Sequence, residues 1–249
     1  MAATVAGARL TAVHRAAQLR VGAQTVARLR PVWRLLNPED LDGTVEEWLK
    51  VAVPVVQAQR VVSARLAAGY MQAFRMAELG LAAGTAGFTP ALAAPVDVKA
   101  VTTSLLVTGP WSVKKAMTAG APLADAVDVA EARSSAAGMR HALDGGRETV
   151  IDSVAADRRA LGWARVASAN ACAFCAMLAS RGPEYGSEAT AAFEAHDGCG
   201  CGAEPAYSTD AAWPANSQRY RELWDEHAAG QSGGDARNAF RQALAADRN

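Results

Sequence analysis

Residues 55–83, VVQAQRVVSARLAAGYMQAFRMAELGLAA, decide the fold class. Val62, Leu66, Tyr70, Ala73, Ala77 and Leu81 recur at steps of three and four, the spacing that gathers side chains on one face of an α-helix, while Arg60, Arg65 and Arg75 take other positions. That stripe is expected in the core. The segment is flanked by further long Ala- and Val-rich stretches, so the chain reads as mainly α, with long helices forming a helical body.

Upstream, residues 8–36 read as a helix that ends around Arg30, before Pro31, and restarts briefly. Asn37-Pro38 makes a turn, and Pro38-Glu39-Asp40 opens the next helix with acids suited to its positive end. Downstream, Gly84 to Pro95 carries Gly, Thr and two prolines and reads as a loop. Helices are expected at Val96–Val107 and Trp111–Thr118, and then from Leu123 to Leu143, broken by Gly145-Gly146 and continued to about Ala160. The stripe Leu123, Val127, Ala130, Ser134, Ala137 uses small side chains, which favours close approach of helices. At Leu161 the texture changes. Gly162–Val166 reads as a short strand, and cysteines, glycines and prolines concentrate from there to Pro205. Residues 215–228 and 234–247 return to a helical pattern around a Gly230–Gly234 hinge. The expected organisation is a helical body with a basic N-terminal arm over 1–160, a small α+β zinc-knuckle module over 161–212, and C-terminal helices over 213–249. Trp163, Trp213 and Trp224 are the expected anchors of the small module.

Composition narrows the partners. Lys plus Arg equals Asp plus Glu at 25 each, so global charge points to neither a polyanion nor a membrane surface. Locally, six arginines (Arg9, Arg15, Arg20, Arg28, Arg30 and Arg34) precede the first acid, Glu39. This arm reads either as a solvated or protein-docked helix or as a contact for DNA phosphates; its arginines do not fall on one clean face. Charges interrupt every apolar stretch, so no membrane partner is expected, and the N-terminus lacks the pattern of a secretory signal. In the reducing cytosol that this implies, four cysteines crowded between 172 and 201 are expected to be metal ligands rather than a disulfide framework.

Cys172-Ala173-Phe174-Cys175 is a Cys-x-x-Cys knuckle, and His196-Asp197-Gly198-Cys199-Gly200-Cys201 supplies a second cluster. A tight turn aims two thiolates at one ion, and a borderline-soft ion accepts sulfur and nitrogen in a tetrahedron. Five candidates exceed four positions. The preferred set is Cys172, Cys175, His196 and Cys201, with Cys199 left out; an all-cysteine set with His196 outside is the rival. Surplus ligands and missing motifs (no Gly-x-Ser-x-Gly elbow, phosphate loop or dinucleotide fingerprint) point to a structural Zn2+ and no enzyme. A redox Cys-x-x-Cys belongs at the start of a helix in a β-α-β pattern, which the preceding helical texture does not suggest. Glu194 and Asp197 are the candidate general bases of a hydrolase reading, or solvated carboxylates, or partners that orient the His196 imidazole. His14, His141 and His227 are expected on the surface.

The residues Trp163-Ala164-Arg165-Val166, Ala171 through Gly182 with both knuckle cysteines, Tyr185, Phe193, His196 through Cys201, and Glu204-Pro205 together resemble the C-terminal signature of Mu F-like minor head proteins of tailed phages, of the kind found in phages of actinobacteria. The resemblance implies a low-copy virion component made in the host cytoplasm and built into the procapsid. It would meet the portal or major capsid protein at the inner capsid surface, with packaged double-stranded DNA as a further partner. A zinc-containing DNA-binding protein is the alternative function, and a phage protease or hydrolase the third.

Overall fold

The computed structural model describes residues 2–82, 87–167, 171–183, 193–211 and 213–248. Residues 84–86 of the expected loop and Tyr185 of the signature lie outside the described residues. The protein is mainly helical. Among the described residues the elements run α1 (Val5–Trp33), α2 (Leu41–Leu79), α3 (Val98–Thr108), α4 (Pro110–Thr118), α5 (Leu123–Ala156), β1 (Gly162–Val166), α6 (Ala173–Ala179), β2 (Gly202–Ala206), α7 (Ala215–His227) and α8 (Gly233–Ala246). β1 and β2 pair antiparallel, with Trp163 opposite Pro205 and Ala164 opposite Glu204.

The long helices α1, α2 and α5 pack on one another, and α3 and α4 close one end of them. There Leu29, Trp33, Trp48, Val56, Val101, Leu105 and Val113 form a core, with Trp33 and Trp48 edge to face at 5.5 Å. At the other end Tyr70, Met71, Phe74, Val150 and Val154 bury Trp163 of β1 and Ala203 of β2. The sheet is therefore built onto the helical body. The boundary drawn at 160/161 falls between elements, yet packing crosses it.

α2 is a single helix that runs through Pro54, not two. Pro54 is solvent-facing and so is Lys50, four residues earlier, so the carbonyl that loses its partner is on the wet side. Asp40 caps its start, accepting from the Gly43 N–H at 3.0 Å, and Gly80 ends it in the left-handed region at φ 60°. Of its expected apolar stripe the helix buries Tyr70 but not Val62 or Leu66. Val62 and Leu66 are 41% and 39% exposed, whereas Gln59, Arg60, Ser63, Ala64 and Ala67 are buried. The cause lies in α5, which Gly145-Gly146 does not break. A Cβ at Gly145 would stand 2.5 Å from the Arg60 carbonyl oxygen, and one at Gly146 2.7 Å from Ser63 Oγ. The two glycines let α5 meet α2 nearly backbone to backbone, and only small or hydrogen-bonding residues fit on the facing side. Ser63 Oγ accepts the Gly146 N–H at 2.9 Å, and Gln18 of α1 donates to the Ser63 carbonyl at 3.0 Å. Arg60 pairs with Glu148 and donates to the carbonyls of Ala94 and His141. The segment before α3 is held by α5 hydroxyls, the Ala91 and Ala93 N–H groups donating to Ser153 Oγ and Thr149 Oγ1, each at 3.0 Å.

Of the three histidines expected on the surface, His141 is buried and His14 half-buried. His14 stacks on Tyr70 at 4.2 Å, and burial pulls its pKa down to about 4. His141 is 8% exposed, and burial, then the neighbouring Arg140, pulls it down to about 4; Arg140 donates to its Nε2 at 3.1 Å, which requires a neutral ring. His227 is exposed.

Gly145→Ala is expected to destabilise by about 1–3 kcal/mol, because its neighbour is rigid backbone. Gly69→Ala, with nothing within 4 Å, should stabilise by about 0.5–1 kcal/mol in the same denaturation experiment. Below pH 6.5 the unfolded chain protonates histidines that the fold keeps neutral to about pH 4, so stability should fall across that window as pH is lowered. Denaturant midpoints measured against pH should show a shallower fall in His141→Gln by up to one proton.

Candidate metal centre

The sequence 171–182 folds as a turn into α6 in which Cys172 is the capping residue, its Sγ accepting the Cys175 N–H at 3.4 Å. This turn brings both knuckle sulfurs to one side. The second cluster follows the described residue Phe193 and leads directly into β2, so the pairing of β2 with β1 fixes where residues 196–201 lie. Helix α5 holds that loop from beneath. The Gly198 N–H donates to the Ala136 carbonyl at 3.1 Å, Arg140 pairs with Asp197 at 2.7 Å, and Arg147 donates to the carbonyls of Cys201, at 3.0 Å, and Cys199. Gly198 takes φ 75°, which a side chain would oppose.

All five candidate donors converge. His196 Nδ1 donates to the Asp197 carbonyl at 2.8 Å, and because a carbonyl only accepts, the ring's other nitrogen is left with its lone pair. That Nε2 stands 3.0 Å from Cys172 Sγ. Cys175 Sγ stands 3.4 Å from Cys199 Sγ. Two triads result, Cys172-Cys175-His196 and Cys175-Cys199-Cys201, each with donor atoms within 4.8 Å of one another, and Cys175 belongs to both. All four cysteines are free thiols. The outer pair, Cys172 and His196, is exposed, whereas Cys175, Cys199 and Cys201 are buried. The cluster can hold a metal ion: a mixed sulfur and nitrogen donor set with one imidazole orientation already fixed suits a borderline-soft cation.

The electrostatics favour an anionic sulfur at Cys199 and oppose one at Cys175. Hydrogen bonds from Cys175 and Cys201, with the charge of Arg147, hold the Cys199 thiol far below its usual range. Cys175, which shares those hydrogen bonds and is buried, is pushed up. Arg165 of β1 sets its guanidinium 3.9 Å from Cys175 Sγ, donates to the Glu194 carbonyl at 2.7 Å, and covers the Phe193 ring at 3.7 Å. Arg147 flanks the same ring at 5.0 Å. Arg140, Arg147 and Arg165 are the site residues that sequence reasoning did not assign. Their signal was faint, an arginine recurring in stretches otherwise apolar or small.

The C-terminal helices close the site. Tyr220, Leu223, Phe240 and Leu244 share one core with Cys175, Cys199 and Cys201. Trp163 stacks on Phe193 at 5.5 Å, Trp224 packs on Phe240 at 5.6 Å, and Trp213 covers Gly182, where a Cβ would stand 2.3 Å from the indole. The knuckle does open a helix behind a strand, the place expected of a redox dithiol, but the strands are antiparallel and the nearest donor to each cysteine comes from the 196–199 loop. Asp197 is engaged by Arg140, and Glu194 is exposed.

A model of the VG15 protein family matches residues 5–227. The match reaches from α1 through α7, and it is to VG15 rather than to the Mu F-like proteins whose signature the cysteines resemble. No curated protein and no solved structure matches the chain.

Since Cys175 belongs to both triads, Cys175→Ser should lower affinity for cobalt(II), followed by its thiolate charge-transfer absorption, more than Cys172→Ser or Cys199→Ser does. Chelation should strip hydrogen-exchange protection from α6, α7 and α8 and leave α1, α2 and α5 protected.

Proposed function

The chain belongs to the VG15 protein family, a family of phage-encoded proteins, and on that premise we propose that it is a structural minor head protein with a structural zinc ion at the Cys172, Cys175, His196, Cys199 and Cys201 cluster. The observation that carries this reading is the way the cluster is built in. Its loop is tied to α5 at Ala136, Arg140 and Arg147, and its buried sulfurs are roofed by α7 and α8. An ion there joins the body to the C-terminal helices and faces no reserved position for a substrate. The protein acts without enzymatic chemistry. It enters the procapsid near the portal or the inner face of the major capsid protein, and its place is the virion. No helix among the described residues is long and apolar enough to cross a membrane.

One observation favours contact with packaged double-stranded DNA as a second role. Arg9, Arg20 and Arg34 are exposed and recur at near-whole numbers of helical turns, at about 3.6 residues per turn, along α1 and its C-cap, and Arg28 and Arg30 are exposed beside that line. Arg15 instead turns inward. A line of guanidinium groups on a helix without acids suits phosphates, and such binding falls steeply with salt.

Purified phage heads are expected to contain the protein at low copy with about one zinc per chain, and procapsids made with Cys175→Ser should incorporate less of it. Glu194→Gln and Asp197→Asn should leave processing of head proteins unchanged by gel electrophoresis. A block in processing would replace this reading with the hydrolase.

A further inference from the structure

A crevice lies where α1, α5 and the two-stranded sheet meet, lined among others by His14, Arg15, Gln18, Arg147, Gly200 and Cys201 and by no carboxylate. Its recess has a volume of about 30 Å³, room for one oxygen-sized atom. Arg15 brings a positive charge into this crevice that nothing described neutralises. Its Nε–H is shielded from solvent and has no hydrogen-bond partner, and no ion pair reaches it among the described residues. Arg60, Arg75 and Arg147 are matched by Glu148, Asp157 and Asp144, and Arg165, whose Nε–H is likewise shielded and unpartnered, has the Glu194 carbonyl and Cys175 Sγ for its other nitrogens.

The neighbours of Arg15 are occupied. Gln18 exchanges hydrogen bonds with Ser63 at both ends of its amide, and Arg147 spends its donors on Asp144 and on the Cys199 and Cys201 carbonyls. His14 lies flat against Tyr70. Leaving a shielded guanidinium donor unpartnered is costly, and an anionic acceptor removes that cost with a charge-assisted bond. We propose that the crevice binds a phosphate group, one oxygen filling the recess and accepting from Arg15 Nε–H while the others face its open mouth. The site backs onto Gly200 and Cys201, so its occupancy also braces the strand end of the metal loop.

The same chemistry arrives as inorganic phosphate or as a phosphodiester of DNA. Thermal unfolding and 31P line width are measured for the full chain with inorganic phosphate, against sodium chloride at equal ionic strength. Phosphate should raise the melting temperature and its resonance should broaden. Arg15→Gln should raise the half-saturating concentration by about tenfold or more, while Arg237→Gln, at an exposed arginine of α8, responds as the wild type. Adding a short DNA duplex then separates the sources: narrowing of the phosphate line marks the nucleic-acid backbone as the occupant, and an unchanged line marks free phosphate. If Arg15→Gln folds poorly, Arg15→Lys, which keeps the charge and lacks the Nε–H, serves in its place and should also respond more weakly. A wild type that treats phosphate and chloride alike overturns the proposal, as does either Arg15 variant binding phosphate undiminished.

Discussion

Everything in this molecule rests on α5 coming within van der Waals reach of the α2 backbone. Two residues without side chains, Gly145 and Gly146, make that approach possible, and one residue later Arg147 leaves the same helix to grip the metal-loop carbonyls. Core, clamp and site are thus consecutive on one helix. The close approach also explains why the buried seam of the body is polar at its centre. Ser63, Gln18, Thr149 and Ser153 satisfy backbone groups that a larger apolar seam would have held apart, and Arg60 with Glu148 fills the remaining gap.

The elements were legible where a local signal had one meaning. The β1 strand is found at Gly162–Val166, as its sequence suggested, and α3, α4, α7 and α8 lie within a few residues of their expected spans. The misreadings share a physical origin. A proline and a glycine pair were read as helix breaks because propensity disfavours them in helix interiors, yet α1 runs through Pro31 to Trp33, where Pro31 and Ala27 face solvent and the lost bond costs little, and the glycines gain contact that no other residue allows. The buried face of α2 was misjudged for a related reason. Hydrophobic spacing marks two candidate faces there, and the choice between them depends on α5, whose Gly146 is 83 residues from Ser63 in sequence but adjacent in space, which periodicity does not sense. His14 and His141 were misplaced because a charged neighbour suggests solvent, whereas Arg140 serves here to keep an imidazole neutral.

The donor residues of the site were legible, since two short motifs name all five. Their grouping was not. Which sulfur lies against which nitrogen depends on the β1–β2 register and on the ties from α5, and these place Cys175 at the junction of two triads and Cys199 against it. Nor did spacing reveal the three arginines that orient the loop, because nothing local distinguishes an arginine that faces a carbonyl from one that faces water. The C-terminal helices expected over 213–249 form the roof of the cysteine cluster.

The position of that cluster in the chain has a consequence for biosynthesis. Ala136, Arg140 and Arg147 all precede Cys172, and the roof formed by α7 and α8 follows Cys201. A ribosome therefore delivers the platform first, the sulfurs second and the cover last. The thiols are made before the helices that cover them, and a nascent protein short of its last two helices already carries all five candidate donors.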